Sequence, residues 1–162
     1  MAGGFNLGEF GHVIPVIYPI DCTGGENGET FCMRDYSHVD IVVVIGATAG
    51  ALTNLVISEC TGKDAAGAVA IAYTNYACET TGAAANADVL GDATAVSATG
   101  IALSETDNIM YVASIDAAQL SAGYEWIYVQ ITGAAAVNLG CVIAILSGSR
   151  YSGPSTRTAL DN

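Results

Sequence analysis

Apolar and polar residues alternate along most of this chain with the two-residue period of a half-buried strand. In 55–60, Leu55, Ile57 and Glu59 share one face and Val56, Ser58 and Cys60 the other. Over 69–78, Val69, Ile71, Tyr73 and Asn75 oppose Ala70, Ala72, Thr74 and Tyr76. Residues 109–115 put Ile109, Tyr111, Ala113 and Ile115 on one side. Over 124–131, Tyr124, Trp126, Tyr128 and Gln130 line one face, and Glu125, Ile127, Val129 and Ile131 the other. Two stretches break the alternation. Residues 41–45 form a continuous β-branched run, which predicts a strand buried on both faces. Residues 137–146 are apolar throughout except for Asn138 and Gly140, and predict a strand bent at Gly140. Residues 89–103 read as one or two loose strands.

Turn chemistry separates these runs. Gly24, Gly25, Glu26, Asn27 and Gly28 form one turn cluster, 61–67 another that carries Lys63, and 82–88 an Ala-rich loop. One helical signal stands out. Asp116 is an N-cap residue type with Gln119 three positions on, as in a capping box, and Gly123 ends the element after a single turn. About seven or eight short strands without long helical periodicity predict an all-β sandwich or barrel, with a jelly roll as first choice. No fixed repeat period points to a propeller or solenoid.

The 162 residues fit one domain. Residues 1–20 read as an N-terminal arm: Gly3, Gly4, Gly8 and Gly11 loosen the backbone, and Pro15 and Pro19 extend it. Its apolar residues Phe5, Leu7 and Phe10 call for a surface to pack on, either the chain's own body or a neighbouring subunit. Residues 21–147 make the β-sandwich, and 148–162 a C-terminal tail. That tail is broken by Gly148, Ser149, Ser152, Gly153, Pro154 and Ser155, and carries the contact-forming Arg150, Tyr151 and Arg157.

Charge narrows the partners. Four basic residues face sixteen acids, for a formal charge of −12. Phosphate backbones and anionic membranes are recognised by Lys and Arg clusters, so neither nucleic acid nor a membrane is an expected partner. No apolar run reaches the roughly twenty residues of a spanning helix. The N-terminus lacks the basic region of a signal peptide, so cytoplasmic synthesis is the expected setting. Charged residues make up only 12% of the chain, so much of the surface is neutral and suited to contact with other proteins. Five cysteines at wide spacing, without C-x-x-C, read as small buried hydrophobes, with a Cys22–Cys32 disulfide as the minor reading.

Candidate chemistry is thin. His12 lies in the arm and His38 near Asp35 and Asp40, without a nucleophile elbow or a local cysteine signature. The pairs Asp88/Asp92 and Glu105/Asp107 could serve glycoside hydrolysis. Asn86, Asp88 and Asp92, or Glu26, Asn27 and Glu29, could contribute to a calcium site. No motif supports any of these, and the lone glycine pairs are not phosphate loops. The expectation is therefore no enzyme, no catalytic residue, no metal and no cofactor. The row Tyr124, Trp126 and Tyr128 is a candidate sugar-stacking face, set against ordinary sheet packing.

Three stretches, GENGETFCMRDYSHVDIVVVIGAT near 25–48, SIDAAQLSAGYEWIYVQIT at 114–132 and CVIAILSGSRYSGPSTRTA at 141–159, resemble small acidic structural proteins of tailed bacteriophages, of the capsid decoration or cement kind. The resemblance implies a β-sandwich or jelly-roll body, a homo-oligomer with a trimer favoured, and a place on the exterior of the virion capsid. There such a protein binds the major capsid protein and clamps the shell. The expected contacts are Phe5, Leu7, Phe10, Arg150, Tyr151 and Arg157. The alternative is a carbohydrate- or receptor-binding sandwich of a fibre or baseplate, using Tyr124, Trp126 and Tyr128.

Overall fold

The structure, a computed structural model, describes residues 7, 11–49, 54–79, 89–103, 108–133, 137–150 and 159–160. Their regular structure is almost entirely strand and forms two antiparallel sheets, the expected all-β sandwich. Sheet A runs β1 (Gly11–Asp21), β12 (Asn138–Ser149), β4 (Tyr36–Thr48), β10 (Ile109–Asp116), β7 (Tyr73–Cys78) and β8 (Thr94–Val96). Sheet B runs β2 (Gly25–Asn27), β11 (Trp126–Thr132), β5 (Asn54–Cys60) and β6 (Val69–Ala70). Two short strands join it, β3 (Phe31–Cys32) on β11 and β9 (Ile101–Ala102) on β5.

The pairings are nested. β1 pairs with β12, β2 with β11, β4 with β10 and β5 with β6. Each inner face follows the alternation in the sequence. Val39, Ile41, Val43 and Ile45 of β4 are buried, as are Ile109, Tyr111, Ala113 and Ile115 of β10 and Val142, Ala144 and Leu146 of β12. They meet Leu55 and Ile57 of β5 and Ile127, Val129 and Ile131 of β11 in one core, with Phe31 at 0% exposure. Tyr76 and Tyr111 stack at a ring separation of 6.1 Å within it.

Several expectations change. Residues 11–20 are not an arm. They belong to β1, which is registered along β12 from Gly11↔Ser147 to Asp21↔Leu139, with bulges that turn the strand. Ile14, Val16 and Ile17 bury there as core positions, whereas the expected arm contacts Phe5 and Phe10 lie outside the described residues. Gly148 and Ser149 likewise extend β12 rather than begin a tail. The 69–78 run is two strands, because the chain leaves sheet B after Ala70 and enters sheet A at Tyr73. The 24–28 cluster contributes β2 as well as a turn. The bend at Gly140 is present as a register shift between Asn138 and Gly140. The Asp116 turn is a 3-10 element, Ala117–Gln119, in which the Asp116 N–H donates to Gln119 Oε1 at 2.8 Å. The 82–88 loop lies outside the described residues.

Candidate interaction surface

The run 41–45 is not buried on both faces. Ile41, Val43 and Ile45 are 0% exposed, whereas Val42 is half-buried and Val44 is 38% exposed on the other side of the strand. Register extends that side into rows. Pro15 lies opposite Ile143, Ile143 opposite Val42, Val42 opposite Val112, and Val112 opposite Ala77. One uninterrupted apolar row therefore crosses five strands. A second row runs Cys141, Val44, Met110. The outer layer of an antiparallel sandwich ordinarily carries polar residues at these positions. Val13, Ile20 and Leu139 are exposed to 44%, 46% and 48% along the β1–β12 side of this sheet. There Pro19, Ile20, Val44, Leu139 and Cys141 line a shallow groove of about 390 Å³.

Toward the Tyr36 end of β4 the same face turns polar. The ring of His38 bridges two carboxylates, Nδ1 to Asp116 Oδ1 at 2.8 Å and Nε2 to Asp40 Oδ1 at 3.2 Å. The Ser114 hydroxyl donates to the same Asp40 oxygen at 2.6 Å. Partial burial disfavours the imidazolium, but the hydrogen bonds to Asp116 and Asp40 outweigh it and hold the His38 pKa above the ordinary 6.5. His12 is opposite in behaviour. Its ring meets Tyr36 edge-on, Nδ1 lies 2.7 Å from the Tyr36 hydroxyl, and burial lowers its pKa. With His12 neutral and its proton on Nε2, the hydroxyl donates to Nδ1; with the proton on Nδ1 the direction reverses.

The other sheet handles its aromatic row differently. Trp126 is 4% exposed, in register between Cys32 of β3 and Cys60 of β5, with Ala65 and Tyr128 packed against the group. The 61–67 turn supplies Ala65, and it holds Asp64 (φ 60°) and Ala65 (φ 57°) in the left-handed region. The Tyr128 hydroxyl and the Gln130 amide both donate to Asn27 Oδ1, at 2.6 and 2.8 Å. Tyr124 is half-buried and precedes β11. Trp126 thus serves packing and is not presented for stacking on a sugar, because the adjacent turn covers it.

The other sequence candidates scatter. Leu7 is 36% exposed and lies against Gly11. Arg150 is exposed just beyond β12, its N–H donating to the Asp35 carbonyl at 2.9 Å. Phe5, Phe10, Tyr151 and Arg157 lie outside the described residues, as do Asn86, Asp88, Glu105 and Asp107. The end of the tail returns to the body, where Ala159 is buried and its carbonyl accepts from the Cys32 N–H at 2.8 Å. All five cysteines are free, so Cys22 and Cys32 are not bridged. Burial pushes the Cys22 and Cys60 thiols up to about 11. Among the described residues no three His, Cys, Asp or Glu side chains are grouped to hold a metal ion, and no helix is long and apolar enough to cross a membrane.

The sequence reading missed the outer face of sheet A, although its signal was present. A run such as 41–45, apolar at every position, was assigned a second covering layer within the chain, and the described residues provide none on that side. Comparison with family models, curated proteins and solved structures returned no match.

Proposed function

We propose that the sandwich is a jelly roll and that the chain is a capsid decoration protein, bound to the outer lattice of a phage shell and stabilising it. The observation that carries the reading is the nested strand pairing, first with last and inward through β5 with β6. A rolled hairpin of this order is the frame of many viral shell domains and of some lectins. Fold-level analogy does not separate those two. The acid surplus supports the shell reading, since it keeps an outward surface soluble. So does the neutral, apolar outer layer of sheet A, which suits coverage by another protein.

On this reading the major capsid protein is the partner, binding is non-covalent, and repeated copies clamp neighbouring lattice subunits. The test mixes purified protein with undecorated shells of its cognate capsid protein. Saturable co-sedimentation, with a raised temperature of shell disruption, supports the assignment. Absence of binding at micromolar protein refutes it. The lectin alternative predicts saturable glycan-array binding that Tyr128→Ala abolishes, since Tyr128 is the half-buried ring of the row within β11.

A further inference from the structure

We infer that the outer face of sheet A is the docking surface, and that it fits a different protein presenting an apolar centre flanked at one end by Lys or Arg. This deepens the shell-docking reading and rests on it. The first argument is chemical pattern. Pro15, Ile143, Val42, Val112 and Ala77 form a row at positions where a solvated sheet carries polar side chains.

The second argument is size. Five strands at about 4.8 Å, and the eight residues of β10 at about 3.4 Å each, give a face of roughly 24 by 27 Å, or ~650 Å² before side-chain relief is counted. With the groove at the β1–β12 side it approaches the ~800 Å² per partner of a standard specific interface.

The third argument is charge, and it separates a foreign partner from a second copy. The polar end of the face holds Asp40, Asp116 and His38, with Ser114 and Asn75 beside them on β10 and β7 and Ser147 on β12. A two-fold stacking that matches apolar rows to apolar rows brings the Asp40 and Asp116 carboxylates of two copies together. The opposite stacking lays apolar rows on acids. Arg150 flanks this end and the His38 ring bridges Asp40 and Asp116 within each copy, so wherever that ring is neutral two carboxylates per copy outnumber its one nearby guanidinium. Arg34 is already bonded to Glu125 at 2.9 Å. A partner with its own cations satisfies the acids without that conflict.

The test uses the full chain, Val44→Asp and Asp116→Asn, each first checked for unchanged circular dichroism and sedimentation. Val44 is already 38% exposed, so the aspartate needs no room in the core. Shell binding is then measured by co-sedimentation at low and high salt. The expected result is at least a tenfold loss of affinity for Val44→Asp, and a flatter salt dependence for Asp116→Asn. Wild type and Val44→Asp binding equally well overturns this surface while leaving shell docking intact. Wild type failing to bind removes both readings. A concentration-dependent homodimer of the free protein that Val44→Asp dissociates overturns the assignment to a different partner.

Discussion

The register of β4 can be read out from two neighbouring valines. Val43 is 0% exposed and packs in the core, whereas Val42 sits on the outer face, half-buried beside Ile143 and Val112. Val43→Ala removes two methylene equivalents from a closed site, about 1.6 kcal/mol of transfer at ~0.8 kcal/mol each. The residual cavity raises the cost to about 2–3 kcal/mol. In a domain of this size that is a fall in melting temperature of roughly 5–10 °C. Val42→Ala deletes the same atoms from a partly wet surface and should cost the free protein under about 1 kcal/mol. Urea unfolding followed by tryptophan fluorescence measures both, because Trp126 is buried in the opposite sheet and reports global unfolding. Equal costs, or a larger one for Val42→Ala, would refute the register. A one-residue slip exchanges the two faces.

Other outcomes follow from the same geometry. Proton NMR should show the histidines titrating on opposite sides of 6.5, His38 above and His12 below. His38 then adds stability that is full below 6.5 and lost as pH rises through its raised value. The His12 contribution is present above 6.5 and lost as pH falls through its lowered value. His38→Gln should remove only the first dependence, and two superimposable titrations would contradict both environments. Asp64→Gly should be neutral or stabilise by up to about 0.5 kcal/mol in thermal melts, since Asp64 is exposed and relief of the left-handed strain offsets the added chain entropy. A destabilisation above about 1 kcal/mol would show that the turn is not held at φ 60°. An aromatic disulfide reagent at pH 8 should titrate at most two thiols in the native protein, Cys78 and Cys141. Cys22, Cys32 and Cys60 should react only on unfolding, and fast reaction at all five would overturn their burial.

The sandwich was legible because its inner faces obey the period of two without exception at 109–115 and 127–131. The single helical turn was legible because Asp116 and Gln119 specify it locally. The segment 11–20 reads as an arm because Gly11, Pro15 and Pro19 carry no sign of long-range pairing. Its partner, β12, lies at the other end of the chain, and only tertiary register makes the segment a strand. The division of 69–78 was hidden for a related reason. Alternation persists through Ile71 and Ala72 while the backbone changes sheets, so pattern alone does not mark the crossing. Trp126 and Tyr128 share a face of β11, but whether that face is open depends on the 61–67 turn folding over Trp126. The outer surface of sheet A was the largest omission, since an apolar residue records that it is covered and not by what.

The nested order also governs when this protein can exist. Sheet A has β12 between β1 and β4, so it stays split until the last strand has been made. Bringing Gly11 to Ser147 closes nearly the whole chain, at an entropic cost of about 4 kcal/mol. At ribosomal speeds of roughly 5–20 residues per second, β1 and β4 wait on the order of ten seconds with both apolar sides open. Fourfold more acids than bases on the emerging chain then have a role before any fold is present. Mutual repulsion between such chains opposes their association during that interval.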